Sequence, residues 1–367
     1  MKITAIRVYK TDLPYVGGVY GWGRGNAIDV AKSTVVTIDT DAGISGCGEF
    51  TPCGENYMVA HSEGVEGVVK LLAPHLLGQD PRQVGLIEHI MDGALQGHGY
   101  AKAPIDAACW DILGKATGQP VWMLMGGKLT DGALMYRVAP HKSPEETVAE
   151  MEVHRAAGYG QFQIKVGADW ATDIDRIQAT IPLLKSGEKA MADANQGWRV
   201  DEALRVVKAT RDLDYILEQP CKTYEECQAV RRKADQPMKL DECVTGIHAA
   251  QQIVADRGAD ICCLKISNLG GLSKARRVRD YLIDNRICVV SEDTWGGEIT
   301  TAAVAHFAAS TPEMWLTNST DLHNYNTRST GKPGPETRDG KLYASDTPGL
   351  GVEPDFGSLG APVASYG

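Results

Sequence analysis

Residues 161–265 carry five apolar runs, each closed by an ionisable residue: QFQIK (161–165), AMAD (190–193), DYILE (214–218), MKLD (238–241) and DICCLK (260–265). The closing residues are Lys165, Asp193, Glu218, Asp241 and Lys265, spaced 28, 25, 23 and 24 residues apart. Each interval holds one strand, one helix and two short loops, the period of a βα repeat. In a barrel of parallel strands the C-terminal ends converge on one face, where active sites are built. A lone acid at a strand end is ordinarily a turn former or a helix cap, and a lone lysine a solvated charge. Five in phase with the repeat, in the order Lys-acid-acid-acid-Lys, point instead to a divalent-metal site between two bases.

Working outward, the segments LMYRVA, FQIKV, KAMAD, YILE, MKLD, ICCLKI, CVVSED and MWLTNS read as eight strands with seven helices between them. This pattern predicts a closed parallel barrel. An open doubly wound sheet is the rival, disfavoured because the charged residues recur strand after strand rather than at one switch point. No GxGxxG or P-loop occurs, so no nucleotide cofactor is indicated. Before the barrel, KITAIRVYKTDL and STVVTIDTDAGISGCGEF read as strands, the second a hairpin turning at DAGISG. From about residue 61 the pattern turns helical. In AKAPIDAACWDILGKATGQP, residues 105, 108, 109, 112 and 113 form one apolar face. The glycine break in MLMGG marks a boundary, which predicts a capping domain over 1–127 and a barrel over 128–330. The Gly- and Pro-rich tail, 331–367, is expected to return to the capping domain.

A chain of 367 residues exceeds what one core normally supports, consistent with two domains. Its net charge of −10 argues against nucleic acid and anionic membranes as partners. No apolar run approaches the roughly 20 residues of a membrane span, and MKITAIRVYKTDLPY lacks the apolar core of a signal peptide. The nine cysteines include no Cys-x-x-Cys pair, and Cys221 and Cys227 have no nearby histidines. Free thiols in a reducing cytoplasm are expected. Cys109, Cys262, Cys263 and Cys288 lie in apolar segments and read as core residues, and Cys53, in TPCGEN, as the exposed one.

Three carboxylates and water oxygens suit a hard cation, and Mg2+ is the expected one. No histidine sits in the carboxylate series, which argues against zinc. Such a cation acts as a Lewis acid on a substrate carboxylate, stabilising the dianionic enediolate left when the neighbouring carbon loses its proton. Lysines ordinarily titrate near 10.4, so each must be depressed to serve as a base near neutrality. Lys165 on the second strand and Lys265 on the sixth are expected across the barrel from one another, able to reach opposite faces of one carbon.

At this point the residues resemble the enolase superfamily, and within it the muconate lactonizing enzyme subgroup. The resemblance spans the chain, from the AKAPIDAACWDILGK helix and the MGG break through the barrel to the GLGV tail. It implies a modified (β/α)7β barrel with an α+β capping domain, Mg2+ on Asp193, Glu218 and Asp241, and Lys165 and Lys265 as acid/base residues. One departure stands out. The subgroup's Lys-x-Lys reads here as Gln163-Ile164-Lys165, so the first lysine is missing and the proton-transferring one remains. QIK, with EQPCKT and SEDTWGG, is similar to a branch acting on proline derivatives. The implied activity is Mg2+-dependent dehydration of cis-3-hydroxy-L-proline to Δ1-pyrroline-2-carboxylate, with competing 2-epimerisation. The alternatives are a 2-epimerase of free hydroxyproline or of proline betaines, and a silent barrel with a binding role.

In the betaine epimerases of that branch a tryptophan on the eighth strand holds the quaternary ammonium by cation–π attraction. Here LTNSTDLHNY puts Asp321 in that region, and a carboxylate accepts hydrogen bonds only from a nitrogen that bears N–H groups. Asp293 is a second candidate for the ring nitrogen. By resemblance Tyr57, in GENYMV, covers the substrate. The expected partner is a small cyclic amino acid, and the expected assembly a homo-oligomer.

Overall fold

The computed structural model describes residues 1–367 and builds the barrel from eight parallel strands in chain order. They are Arg137–Ala139, Gln161–Lys165, Lys189–Asp193, Ile216–Glu218, Met238–Leu240, Ile261–Lys265, Cys288–Glu292 and Leu316–Ser319. A parallel bridge between Met135 and Ser319 brings the first strand back to the eighth. The second, third and sixth strands are buried at nearly every position, as parallel strands covered on both faces must be.

Two strands are shorter than their apolar runs suggest. In MWLTNS, Met314 and Trp315 belong to a 3-10 turn, Glu313–Trp315, and pairing begins at Leu316. In LMYRVA, Leu134 pairs instead with Lys341 of the tail, and the barrel strand starts at Arg137. Asp241 lies one residue beyond its strand.

The N-terminal part is an antiparallel sheet in the order Ala364–Tyr366, Ile3–Pro14, Val30–Thr40, Ser45–Phe50. The last residues of the tail thus add an edge strand, paired through Ile6 and Tyr366. Gly43, at φ +73°, makes the hairpin turn where a side chain would be strained. Helices Ser62–Leu76 and Gly99–Thr117 cover the sheet, and Val84–Ala94 packs against both of them. Gly48 lets strand and helix approach closely: a Cβ there would meet the Pro104 carbonyl oxygen at 2.0 Å.

The Gly99–Thr117 helix is buried on nearly every side rather than along one apolar face. Two of its polar residues face the barrel. Trp110 Nε1 donates to Ser273 Oγ at 2.9 Å, and Asp106 accepts from the backbone N–H of Ser273 at 3.1 Å. A helix sandwiched between two layers has no solvent face, and satisfied polar groups make this tolerable.

All nine cysteines are free. Cys53 is buried, contrary to the polar look of its loop, because that loop folds down over the mouth of the barrel. Cys288, expected in the core, is half-buried at the opposite end of the barrel, and Cys243 is likewise partly exposed. No helix is long and apolar enough to cross a membrane.

Candidate active site at the barrel mouth

The barrel's register places charge beside charge. Lys165 pairs with Asp193, and Asp193 with Glu218, across neighbouring strands. Laterally paired residues point to the same face, here the barrel interior. Lys165 Nζ donates to Asp193 Oδ2 at 2.5 Å and to Asn195 Oδ1 at 3.0 Å. On the far side Lys265 Nζ donates to the Asp241 carboxylate and to the Tyr57 hydroxyl at 2.8 Å, and pairs with Glu292 at 3.1 Å.

Lys165, Asp193, Asp241 and Lys265 line one cavity of about 480 Å³. The remaining walls include Tyr20, Trp22, Tyr57, Glu292, Asp293, Trp295 and Tyr325. Glu218 lies one layer beneath, fully buried, with Oε2 accepting from Gln163 Nε2 at 3.0 Å. The capping domain closes the top. Thr294 Oγ1 donates to the Thr51 carbonyl at 2.6 Å, and Tyr57 donates to Asp241 Oδ2 at 2.9 Å. A second hollow sharing Trp22, Tyr57 and Asn195 adjoins the cavity and adds Lys222 and Glu242.

Asp321 does not join this lining. Its carboxylate is ion-paired with Arg137 at 2.7 Å and accepts from Asn324 Nδ2 at 2.7 Å, while its neighbours Thr320 and Leu322 face the cavity. The sequence expectation that Asp321 meets a ring nitrogen is therefore corrected: a buried carboxylate needs a counter-charge, and Arg137 from the first strand supplies it. Asp293 does reach the cavity. Its oxygens already accept from the backbone N–H groups of Ser267 at 3.0 Å and Thr294 at 2.7 Å, and burial pushes its carboxyl up to about 6.

The acids outnumber the cations that face them. Burial, and then repulsion from Asp193, push the Glu218 carboxyl up to about 7. Glu242 is raised well above the carboxylate range by burial and by Asp241 and Asp193. Glu242 Oε2 is buried without a hydrogen-bond donor, and Glu218 Oε1 has only the Lys239 ammonium beside it, at 2.8 Å. A buried, mutually repelling cluster of carboxylates that outnumber their counter-charges fits a hard divalent cation. Ligand atoms of Asp241, Cys263 and Glu292 also lie within 4.8 Å of one another. Lys265 Nζ fills that space, and a thiol is a poor ligand for a hard cation, so this trio is the lysine's cradle.

The lysines differ from the depressed bases expected. Burial alone would lower them, but Asp193 beside Lys165 and Asp241 beside Lys265 raise both. A cation held by Asp193 and Asp241 would compete with each ammonium for the partner that keeps it charged.

Reasoning from the sequence missed Lys239, Glu292 and Tyr136. Lys239 and Asp241 share a strand face by the period of two, and Glu292 directly precedes Asp293, so both signals were present in the chain. Tyr136, whose hydroxyl donates to Glu292 Oε2 at 2.9 Å, had no such signal.

Two family models match the chain: the mandelate racemase/muconate lactonizing enzyme N-terminal domain over residues 17–126, and the enolase C-terminal domain-like family over 146–358. The sequence is 47% identical over 366 residues to a cis-3-hydroxy-L-proline dehydratase of Roseibium aggregatum, covering 100% of both chains. It superposes on a mandelate racemase/muconate lactonizing enzyme from Roseovarius nubinhibens with a TM-score of 0.98 at 76% identity, covering 100% of this chain and 98% of that one. A second protein of that organism, complexed with magnesium, matches with a TM-score of 0.96 at 35% identity over 100% of both chains.

Proposed function

The chain belongs to the mandelate racemase/muconate lactonizing enzyme group of the enolase superfamily, and from that premise we propose that it dehydrates cis-3-hydroxy-L-proline to Δ1-pyrroline-2-carboxylate. The observation that carries the reading is the pair of lysines, Lys165 and Lys265, from strands two and six, lining one cavity beside an acid-rich cluster. A full-length relative with this activity supports it.

In this reading Asp193, Glu218 and Asp241 hold Mg2+. Bound there, Mg2+ supplies positive charge against the substrate carboxylate as C2 loses its proton. One lysine takes that proton with its nitrogen lone pair, the C2–H bonding pair forms the C2–C3 double bond, and the C3–O bond breaks with its pair leaving on oxygen. The departing 3-hydroxyl leaves as water after receiving a proton from the conjugate acid of one of the two lysines. The enamine product then tautomerises. Tyr57 shields the cavity and fixes Lys265 through its hydroxyl. Asp293 and the faces of Tyr20, Trp22 and Trp295 are the groups offered to the ring nitrogen. Residues 1–127, 128–330 and 331–367 serve as cap, catalytic barrel and returning segment. The reading includes a cytoplasmic homo-oligomer.

A 2-epimerase of proline betaines shares every step up to removal of the C2 proton, and an aromatic rim suits a quaternary ammonium. Product analysis with free and N-methylated prolines separates the two. Pyrroline-carboxylate from cis-3-hydroxy-L-proline as the fastest reaction supports the dehydratase, whereas faster epimerisation of a betaine rules it out.

A further inference from the structure

Two residues before Asp241 stands a lysine for which the chemistry above has no use. Lys239, on the strand Met238–Leu240, is fully buried. Strand pairing sets it beside Glu218, completing the lateral series Lys165, Asp193, Glu218, Lys239. Paired residues share a face, so two cations bracket two anions in one row across the barrel interior. Lys239 Nζ lies 2.8 Å from Glu218 Oε1 and 4.0 Å from Glu292 Oε2. Glu292 in turn stands 3.1 Å from Lys265 Nζ. Lys239 is absent from the cavity wall, so substrate contact is not its role.

The other oxygen of Glu218 meets an amide, not a charge: Gln163 Nε2 donates to Oε2 at 3.0 Å. Position 163 is where the Lys-x-Lys pattern has its first lysine. A fully buried carboxylate needs a counter-charge. The second strand brings only an amide to Glu218, and the fifth strand brings the cation.

We propose that Lys239 is a positioning residue that replaces, from the opposite side of Glu218, the lysine absent at position 163, fixing Glu218 beneath the cavity and linking it through Glu292 to Lys265. The inference rests on the reading of Glu218 as a Mg2+ ligand. It requires that a cation reach Glu218, and it is indifferent to which strand delivers it.

The test is calorimetric titration of metal-free protein with Mg2+, with thermal melts alongside, for wild type, Glu218→Gln, Lys239→Met and the double variant Lys239→Met/Gln163→Lys. A Glu218→Gln protein that binds Mg2+ like wild type removes the underlying reading and this inference with it. With Glu218→Gln impaired, Lys239→Met is expected to weaken Mg2+ binding by about tenfold or more, the scale of losing a residue that orients a metal ligand. The double variant is expected to recover most of that loss. A Lys239→Met protein that binds like wild type overturns the inference. So does a double variant that folds without regaining Mg2+ affinity, or that fails to fold.

Discussion

The Tyr57 hydroxyl, carried by a loop of the capping domain, accepts a hydrogen bond from Lys265 Nζ at 2.8 Å and donates to Asp241 Oδ2 at 2.9 Å. One side chain thus ties the cap to a lysine and a carboxylate of the barrel. Tyr57→Phe keeps the ring over the lysine, 5.2 Å from Nζ to its centre, and removes only the hydroxyl. A hydrogen bond to a charged group is worth about 1.5–3 kcal/mol, so kcat/KM should fall by about tenfold or more. The melting temperature should fall by no more than a few degrees. Steady-state kinetics beside a thermal melt checks both, and an unaltered kcat/KM removes Tyr57 from the site.

The two lysines should be separable by isotope exchange. Lys165→Ala and Lys265→Ala should each lose dehydration by about two to four orders of magnitude, the usual contribution of a positioned acid or base. In D2O one variant should still exchange the C2 proton of one enantiomer. Dehydration at the wild-type rate by either variant excludes that lysine from the chemistry.

The carboxylates offer a third prediction. Asp193→Asn, Glu218→Gln and Asp241→Asn should each abolish turnover while the circular dichroism spectrum and the cooperative melt are retained. The cluster's acids repel one another, so removing one charge relieves as well as removes an interaction. Loss of the cooperative melt in all three would mean that these acids hold the fold and not a site.

A fourth prediction concerns pH and lies outside the site. His306 is fully buried, accepting from the backbone N–H of Trp122 at 3.2 Å and contacting the Leu350 carbonyl at 3.1 Å through its other nitrogen. Burial depresses its pKa from 6.5 to about 4. The unfolded chain therefore binds the proton first, and this contribution is present above about 6.5 and lost as pH falls to about 4. The loss amounts to at most about 3 kcal/mol at 1.36 kcal/mol per unit. Denaturant melts of wild type and His306→Gln across this window should show the difference between them shrinking as pH falls. A constant difference contradicts the assignment.

Much of this molecule was legible in the chain, for identifiable reasons. Lys165, Asp193, Asp241 and Lys265 each follow an apolar run in phase with a βα repeat, and the parallel barrel turns that period into one shared cavity wall. Glu218 obeyed the same period and pairs laterally with Asp193, but it is fully buried off the cavity wall, held by Gln163 and Lys239, contacts from other strands that no apolar run announces. Asp321 misled because its partner, Arg137, lies 184 residues earlier, and no local pattern announces a long-range ion pair. Cys53 misled because a polar loop looks solvated until another domain is seen to hold it down. The all-round burial of Gly99–Thr117 likewise depends on the barrel helix whose Ser273 meets Asp106 and Trp110.

The central claim is that the lysines and the acid cluster together remove a C2 proton and expel the 3-hydroxyl with Mg2+ bound. Proton NMR of cis-3-hydroxy-L-proline in D2O, with Mg2+-loaded and with EDTA-stripped wild-type enzyme, tests it most directly. The account predicts that the C2 and C3 proton signals vanish as Δ1-pyrroline-2-carboxylate accumulates with Mg2+, that stripped enzyme does neither, and that Mg2+ restores both. Equal formation of the pyrroline by stripped enzyme, or a C2-deuterated epimer as the sole product, would contradict it.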